Sequence, residues 1–311
     1  MEFRHETVLL TATVDALAPR SQGVYVDATL GGGGHTRLLL ERSSPGGRVI
    51  AMDQDETAIR NAAALVADYP GRLTLLQANF ADIAERLPNL GVTEIDGAMF
   101  DLGVSSPQFD VPERGFSYWH EGPLDMRMDR TAELTAEDVV NHWTQAELAR
   151  ILREYGEERF AGAIARRIVE ARSVRPIATT TELAEIVKAA IPAPARRKGP
   201  HPARRTFQAI RIAVNDELGV LERGLKGAFS LLRAGGRLAV ISFHSLEDRI
   251  VKQMFKELAT GCICPPELPV CQCGREPKGR LVTRKPVAPA DVEVHENARA
   301  RSAKLRVIEK L

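Results

Sequence analysis

Cysteine is scarce in this chain, and its four residues all fall between Cys262 and Cys273. No apolar export segment precedes them, so a disulfide framework explains them less well than reduced thiols or a metal site. Long hydrophobic runs are missing too: none approaches the roughly 20 residues of a membrane helix. Met1 to Arg20 carries Glu2, Glu6 and Asp15 and has no signal-peptide core, so the expected location is the cytoplasm, with no membrane partner. No Gly-x-Ser-x-Gly elbow accompanies His244, Ser242 and Ser245, which excludes a serine hydrolase. Internal repeats and low-complexity segments are absent. The formal net charge is only +1, yet Ile186 to Asn215 contains no acid while holding Lys188, Arg196, Arg197, Lys198, Arg204, Arg205 and Arg211. Clustered cations in a neutral protein usually form a solvated face, but clusters this dense point to a phosphate-bearing partner.

What is present is an ordinary globular composition, 311 residues with 44% hydrophobic and 27% charged, enough for one large or two smaller domains. Its sharpest feature is Val24-Tyr-Val-Asp27 followed by Ala-Thr-Leu and the glycines Gly31 to Gly34. A strand, a glycine turn and a helix start form a nucleotide-type site, because glycine permits close backbone approach and positive φ. A dinucleotide, S-adenosylmethionine and a purely structural turn all fit this element alone.

The following pattern predicts strands at Val24–Ala28, Arg48–Asp53, Leu73–Gln77 and Ile95–Asp101, with helices at 35–42, 56–67 and 81–87. Alternation of this kind predicts an open parallel α/β sheet whose ligand lies at the carboxyl strand ends. Those ends carry Asp27, Asp53, Asn79-Phe80 and Asp101. Asp53, about 20 residues beyond the glycine turn, is placed to accept ribose hydroxyls; alternatively Asp53 or Asp55 caps the next helix. Phe80 fits either an adenine face or the core. A loop at 111–130 leads to apolar spacing near 3.6 over 144–153, 157–172 and 181–190, then to a long helix over 204–232. A strand at 237–243 after the Gly235-Gly236 turn, a helix at 247–258, and strands near 281–283 and 304–308 complete the sheet.

The chemistry narrows after the fourth strand. Asp101-Leu-Gly-Val-Ser-Ser-Pro-Gln108 loosely matches the acid-and-proline loops with which amine methyltransferases accept hydrogen bonds from the reacting amine. Phe116, Tyr118 and Trp119 are candidates for stacking on a base, with core packing as the plain alternative. Arg114, Arg127, His201, Arg204 and Arg205 are candidates for phosphate, the last two at a helix start. His244 is a candidate for substrate contact, and Ser245 for capping the helix that follows. Cys262, Cys264, Cys271 and Cys273 form two thiol pairs that suit a closed, structural zinc site, although Cys-x-Cys is tighter than the usual spacing.

Several long blocks carry a resemblance: His5-Glu-Thr-Val-Leu-Leu10, Asp27 to His35, Asp101 to Gln108, Arg114-Gly-Phe-Ser117, Gly122-Pro-Leu-Asp-Met-Arg-Met-Asp129, Tyr155 to Phe160, His201 to Gln208 and Ser242 to Arg249. With them the chain resembles the ribosomal small subunit methyltransferase H (MraW) family almost end to end. It departs at Asn297-Ala-Arg299, where the family usually has Asn-Pro-Arg, and in the cysteine loop, which many relatives lack. The resemblance implies an α/β class I S-adenosylmethionine-dependent methyltransferase, a Rossmann-like sheet with an all-helical insertion. The core is expected at 1–110 and 215–311, and an RNA-recognising insertion at 111–214. It implies methyl transfer from S-adenosylmethionine to N4 of a cytidine in the decoding region of 16S rRNA, on naked rRNA or the small subunit. Cofactor contacts are implied at Gly33, Gly34, His35, Asp53, Phe80, Asp101 and Gln108, with Asp101 as the catalytic candidate. A methyltransferase acting on DNA, protein or a small molecule is one alternative; a non-catalytic assembly factor that binds RNA is another. An NAD-dependent dehydrogenase is the weakest. Monomer and homodimer stay open.

Overall fold

The computed structural model describes residues 7–196, 199–265 and 270–311. Two compact units divide the chain: Met1–Gly103 with Leu218–Leu311, and Val104–Glu217.

The first unit is built on a seven-stranded sheet of order β3-β2-β1-β4-β5-β7-β6. The strands are β1 (Val24–Asp27), β2 (Arg48–Asp53), β3 (Leu73–Gln77), β4 (Ile95–Asp101), β5 (Leu232–Ser242), β6 (Gly279–Leu281) and β7 (Lys304–Lys310). β1 to β5 pair in parallel, whereas β7 is antiparallel to both its neighbours. Strand order therefore reverses between β1 and β4, which is where open α/β sheets form their ligand crevice.

Helices follow in chain order: α1 (Leu10–Ala16), α2 (Gly34–Arg42), α3 (Glu56–Asp68), α4 (Ile83–Asn89), α5 (Ser106–Asp110), α6 (Ala136–His142), α7 (Gln145–Glu154), α8 (Ala161–Val174), α9 (Thr180–Ala190), α10 (Ala193–Arg196), α11 (Arg204–Asn215), α12 (Glu217–Leu231), α13 (Ser245–Ala259) and α14 (Asp291–Glu296). Successive strand side chains alternate between two buried layers. Val26, Met52, Phe100 and Val240 pack with Leu87 of α4, Leu225 of α12 and Phe255 of α13. Tyr25, Ala51, Met99 and Ile241 pack with Val14 of α1, Leu39 of α2 and Leu65 of α3. Covered on both faces, the strands read in sequence as continuous apolar runs. Leu39 is fully buried, and truncating such a leucine to alanine typically costs about 2–5 kcal/mol.

The second unit packs α6 to α9 and α11 around Val139, Leu148, Ile151, Ile164, Leu183 and Ile210. Its helix starts are written in the sequence. Thr135 with Asp138, and Thr144 with Glu147, form reciprocal capping boxes at α6 and α7, each satisfying two otherwise orphaned N–H groups.

Three expectations change. The single helix expected over 204–232 is two, α11 and α12, because Asp216 adopts a left-handed conformation at φ 46°, which aspartate tolerates better than most residues. Arg211 bridges the break, its Nε 2.7 Å from Glu217 Oε1 and its Nη2 2.9 Å from Oε2. The glycine turn expected before the fifth strand instead lies inside β5: pairing with β4 passes from Ile95–Leu232 directly to Gly97–Arg237, and the register shift absorbs the glycines. The helix expected over 81–87 begins as a tight 3-10 turn at Phe80–Asp82 before α4.

Candidate active site at the carboxyl ends of the strands

Four acids and a glycine turn converge in the first unit. Asp27, at the end of β1, is fully buried. Its Oδ1 accepts from the Thr29 N–H at 3.1 Å, and its Oδ2 from the Thr36 hydroxyl at 2.7 Å. Burial raises its pKa to about 6, against the lowering pull of those bonds. The carboxylate thus fastens β1 to the first turn of α2.

The turn between them requires glycine at two points. Gly31 has φ 49° and Gly33 φ 76°, a region where L side chains are strained. Gly33 is also the residue that opens α2. The Gly31 N–H donates to Asp53 Oδ2 at 2.9 Å. A Cβ on Gly34 would run into the Thr7 hydroxyl.

Asp53 ends β2, and its Oδ1 accepts from the Asp55 N–H at 2.9 Å. Burial raises its pKa. Asp55, not Asp53, caps α3, accepting from the Thr57 N–H at 2.9 Å. The backbone N–H groups of Gly31, Gln54 and Asp55 all bond the Asp53 carboxylate. A carboxylate has about four acceptor sites, so it keeps room to accept from a nucleoside ribose hydroxyl.

Asp101, at the end of β4, is held through its N–H to the Thr29 hydroxyl oxygen at 2.7 Å. Its side chain is 24% exposed, with Oδ2 3.8 Å from His35 Nδ1. Oδ1 is buried without a hydrogen-bond partner among the described residues. Burial first, then the charges of Asp27 and Glu247, push its pKa well above the ordinary carboxylate range.

Glu247 was not among the expected site residues. It is buried, and its Oε2 accepts from the N–H groups of Phe243 at 2.8 Å and His244 at 3.2 Å. His244, rather than Ser245, caps α13, with Glu247 closing the reciprocal box. His244 Nε2 lies 3.1 Å from Glu247 Oε1. The signal was available in the His-x-x-Glu spacing at a helix start. Phe80 is half-buried and meets Phe100 edge-on, ring centres 5.2 Å apart.

The remaining expected residues belong to the second unit. Gln108 is buried, and its Oε1 accepts from the Ser105 N–H at 3.1 Å, closing the loop it follows. Arg114 is buried, its guanidinium donating to the carbonyls of Arg127 and Met128. Arg127 is paired with Asp125 through two bonds of 2.8 and 2.9 Å and also donates to the Ala132 carbonyl. Both arginines brace the loop beneath them, and Arg114 has no exposed cationic face to offer a phosphate. Phe116 is buried in the helical core and so is removed as a stacking surface. His201 stacks on Tyr118 at 4.6 Å and 10°, with Trp119 4.7 Å away and 69% exposed; burial lowers the His201 pKa. Arg204 and Arg205 are exposed at the start of α11, and Arg205 also donates to the Glu157 carbonyl. Arg197 and Lys198 of the basic segment, and His5 and Glu6 of the first family block, lie outside the described residues.

The four cysteines come together: their sulfurs all lie within 4.8 Å of one another. No helix among the described residues is long and apolar enough to cross a membrane.

A parallel sheet closed by one reversed strand, a glycine turn at its switch point and acids on the flanking strand ends define a class I, Rossmann-like, S-adenosylmethionine-dependent methyltransferase. The chain belongs to the MraW methylase family, whose profile matches residues 2–311. A protein of Symbiobacterium thermophilum named ribosomal RNA small subunit methyltransferase H is 60% identical over 311 residues, covering 100% of this chain and 98% of that protein. One of the same name from Paenibacillus sp. is 56% identical over 315 residues, covering 99% and 100%. A solved structure described as a putative rRNA-methylase from Clostridium thermocellum aligns with 99% of this chain and 100% of its own, at 14% identity and a TM-score of 0.46.

Proposed function

We propose that this protein transfers the methyl group of S-adenosylmethionine to the exocyclic N4 of a cytidine in the decoding region of 16S rRNA. Whole-chain likeness to two proteins named as small-subunit rRNA methyltransferases supports the substrate class. The observation that carries the chemistry is Asp101 Oδ1, a buried acceptor without a partner at the sheet's switch point.

S-adenosylmethionine supplies an electrophilic methyl carbon on a sulfonium. Gly33, Gly34 and His35 would hold it at the glycine turn, Asp53 would accept its ribose hydroxyls, and Phe80 offers an aromatic edge. Transfer to an amine needs no nucleophile from the protein. The protein's part is to align the amine and exclude water, and alignment of this kind supplies a large share of the rate. Cytosine N4 is a poor nucleophile because its lone pair is delocalised into the ring. Asp101 Oδ1, accepting an N4 hydrogen, returns electron density to the nitrogen. A carboxylate with a raised pKa also takes up a proton more readily, which suits the group that receives the proton the amine sheds. A positive charge brought close to Asp101 favours its carboxylate form, so the acceptor is strengthened when the site is loaded.

The cytidine leaves its stack to reach such a pocket. Trp119 and the Tyr118–His201 stack give the second unit an aromatic surface for single-stranded RNA, and exposed Arg204 and Arg205 at a helix start suit phosphate.

The deciding experiment is mass spectrometry of small-subunit rRNA from cells lacking this protein, paired with transfer of isotopically labelled methyl to naked 16S rRNA and to assembled subunits. Loss of one N4-methylated cytidine, restored by the purified protein, is expected. Unchanged rRNA methylation, or labelling of free cytidine alone, overturns the proposal. Absence of S-adenosylmethionine binding by calorimetry would instead point to an assembly factor.

A further inference from the structure

The cysteine cluster plays no part in the chemistry above and lies in the segment joining α13 to β6. We propose that Cys262, Cys264, Cys271 and Cys273 form a closed tetrathiolate site for one structural zinc ion.

Distances carry the argument. Cys262 Sγ lies 3.4 Å from Cys271 Sγ and 3.7 Å from Cys273 Sγ, and Cys271 and Cys273 are 3.6 Å apart. A zinc–sulfur bond of about 2.3 Å in a regular tetrahedron places sulfurs about 3.8 Å apart. A disulfide needs about 2.0 Å and joins sulfurs in twos, whereas here three mutual separations are nearly equal. A four-iron cluster binds each thiolate to a different iron and a two-iron cluster keeps only the two thiolates of one iron close, so neither brings three cysteine sulfurs mutually this near. The spacing therefore selects a single tetrahedral ion.

Local backbone agrees. The Cys264 N–H donates to Cys262 Sγ and the Gln272 N–H to Cys264 Sγ, both at 3.4 Å, the outer bonds that orient metal thiolates and offset their charge. Gly274, directly after the last cysteine, has φ 58°, a turn conformation that glycine adopts without strain.

The segment has little else to hold it. Ile263 is 60% exposed and Val270 70%, so neither of these apolar side chains, both among the described residues, is buried. Among the described residues the segment is tied to α13 by the Lys278 N–H to the Leu258 carbonyl and the Arg275 guanidinium to the Glu257 carbonyl. Convergence of four thiols, three of them exposed and Cys264 half-buried, is the signature of a site whose folding is coupled to metal binding. With four thiolates as ligands no coordination position stays open, so the ion is structural. Its consequence is a fixed geometry for the basic stretch Arg275, Lys278 and Arg280.

The test uses the full chain purified under reducing conditions without chelators. Elemental analysis is expected to find about one zinc per chain, released by a mercurial thiol reagent. In the Cys271→Ser/Cys273→Ser variant the content falls at least tenfold. Because that variant could misfold, the second measurement uses the wild-type chain: metal-free protein titrated with cobalt(II) should develop the visible bands and thiolate charge-transfer absorption of a tetrahedral sulfur site. Trypsin should cut after Arg275 or Lys278 far faster once the metal is removed. Protein without stoichiometric zinc whose reduced form gives no thiolate–cobalt absorption overturns the proposal, as does zinc retained undiminished by the serine variant. None of these readouts depends on methyl transfer, so the proposed activity stands or falls separately.

Discussion

Replacing Asp27 with asparagine should alter how the stability of the sheet unit depends on pH. Asp27 is fully buried, and burial lifts its pKa from the ordinary 3.8 to about 6. The folded state therefore binds this proton more tightly than the unfolded state does. Stability from this group is greatest below about pH 4, declines as pH rises through the interval up to about 6, and is flat above it. An interval of about 2 pH units at about 1.4 kcal/mol each gives about 3 kcal/mol. Asparagine does not ionise and loses this dependence. Its amide keeps one oxygen for the Thr29 N–H, and its NH₂ can donate to the Thr36 hydroxyl. Whatever fixed cost the substitution carries cancels when the difference between wild type and variant is followed against pH. That difference should shift by about 3 kcal/mol against the wild type between about pH 4 and pH 7. The readout must come from the correct unit. Trp119 and Trp143 both lie in Val104–Glu217, so tryptophan fluorescence reports the other half. Native-state hydrogen exchange at the amides of Val26 and Ala28 reports the sheet itself. Parallel pH profiles for the two proteins would show that Asp27 does not hold its proton as its burial implies.

Asp53→Asn leaves an NH₂ facing a backbone donor, since Gly31, Gln54 and Asp55 all bond the carboxylate. S-adenosylmethionine affinity by calorimetry should fall about 10- to 100-fold, as expected for losing a charged acceptor; unchanged affinity would remove Asp53 from the cofactor site. Glu217→Gln breaks the bidentate pair with Arg211, whose side chains are only 10% and 13% exposed. Urea unfolding should show a loss of about 2–4 kcal/mol, whereas a change under about 0.5 kcal/mol would mean that the pair does not secure the Asp216 break. Arg204→Ala with Arg205→Ala should weaken rRNA binding and reduce the slope of log affinity against log salt by about 2. An unchanged slope would place the phosphate contacts elsewhere.

Much of the sheet was legible because β1, β2 and β4 are buried on both faces and read as apolar runs from Val24, Arg48 and Ile95, whereas β3, buried only at Leu73, was legible from its place in the strand–helix alternation. The break at Asp216 was not legible, since no glycine or proline stands at 214–218 to mark it. The acids at strand ends announced the site through position alone. Glu247 escaped because its neighbours His244 and Ser245 drew the chemical reading, although its spacing from His244 carried a capping signal. Arg114 misled in the opposite direction. A guanidinium spent on the Arg127 and Met128 carbonyls is indistinguishable in sequence from one offered to phosphate, and only burial separates them.

The interruption of the sheet has a consequence for how the chain is made. β4 is buried along nearly its whole length and pairs with β1 on one side and β5 on the other. During synthesis β1 to β4 emerge first, and all of Val104–Glu217 follows before β5 exists. For that interval β4 is an open edge of hydrophobic backbone, the kind of surface that recruits other chains. A ribosome that stalls within the insertion therefore displays a half-sheet with its stickiest strand uncovered. The compact second unit, whose contacts are largely local and helical, can fold during the same interval.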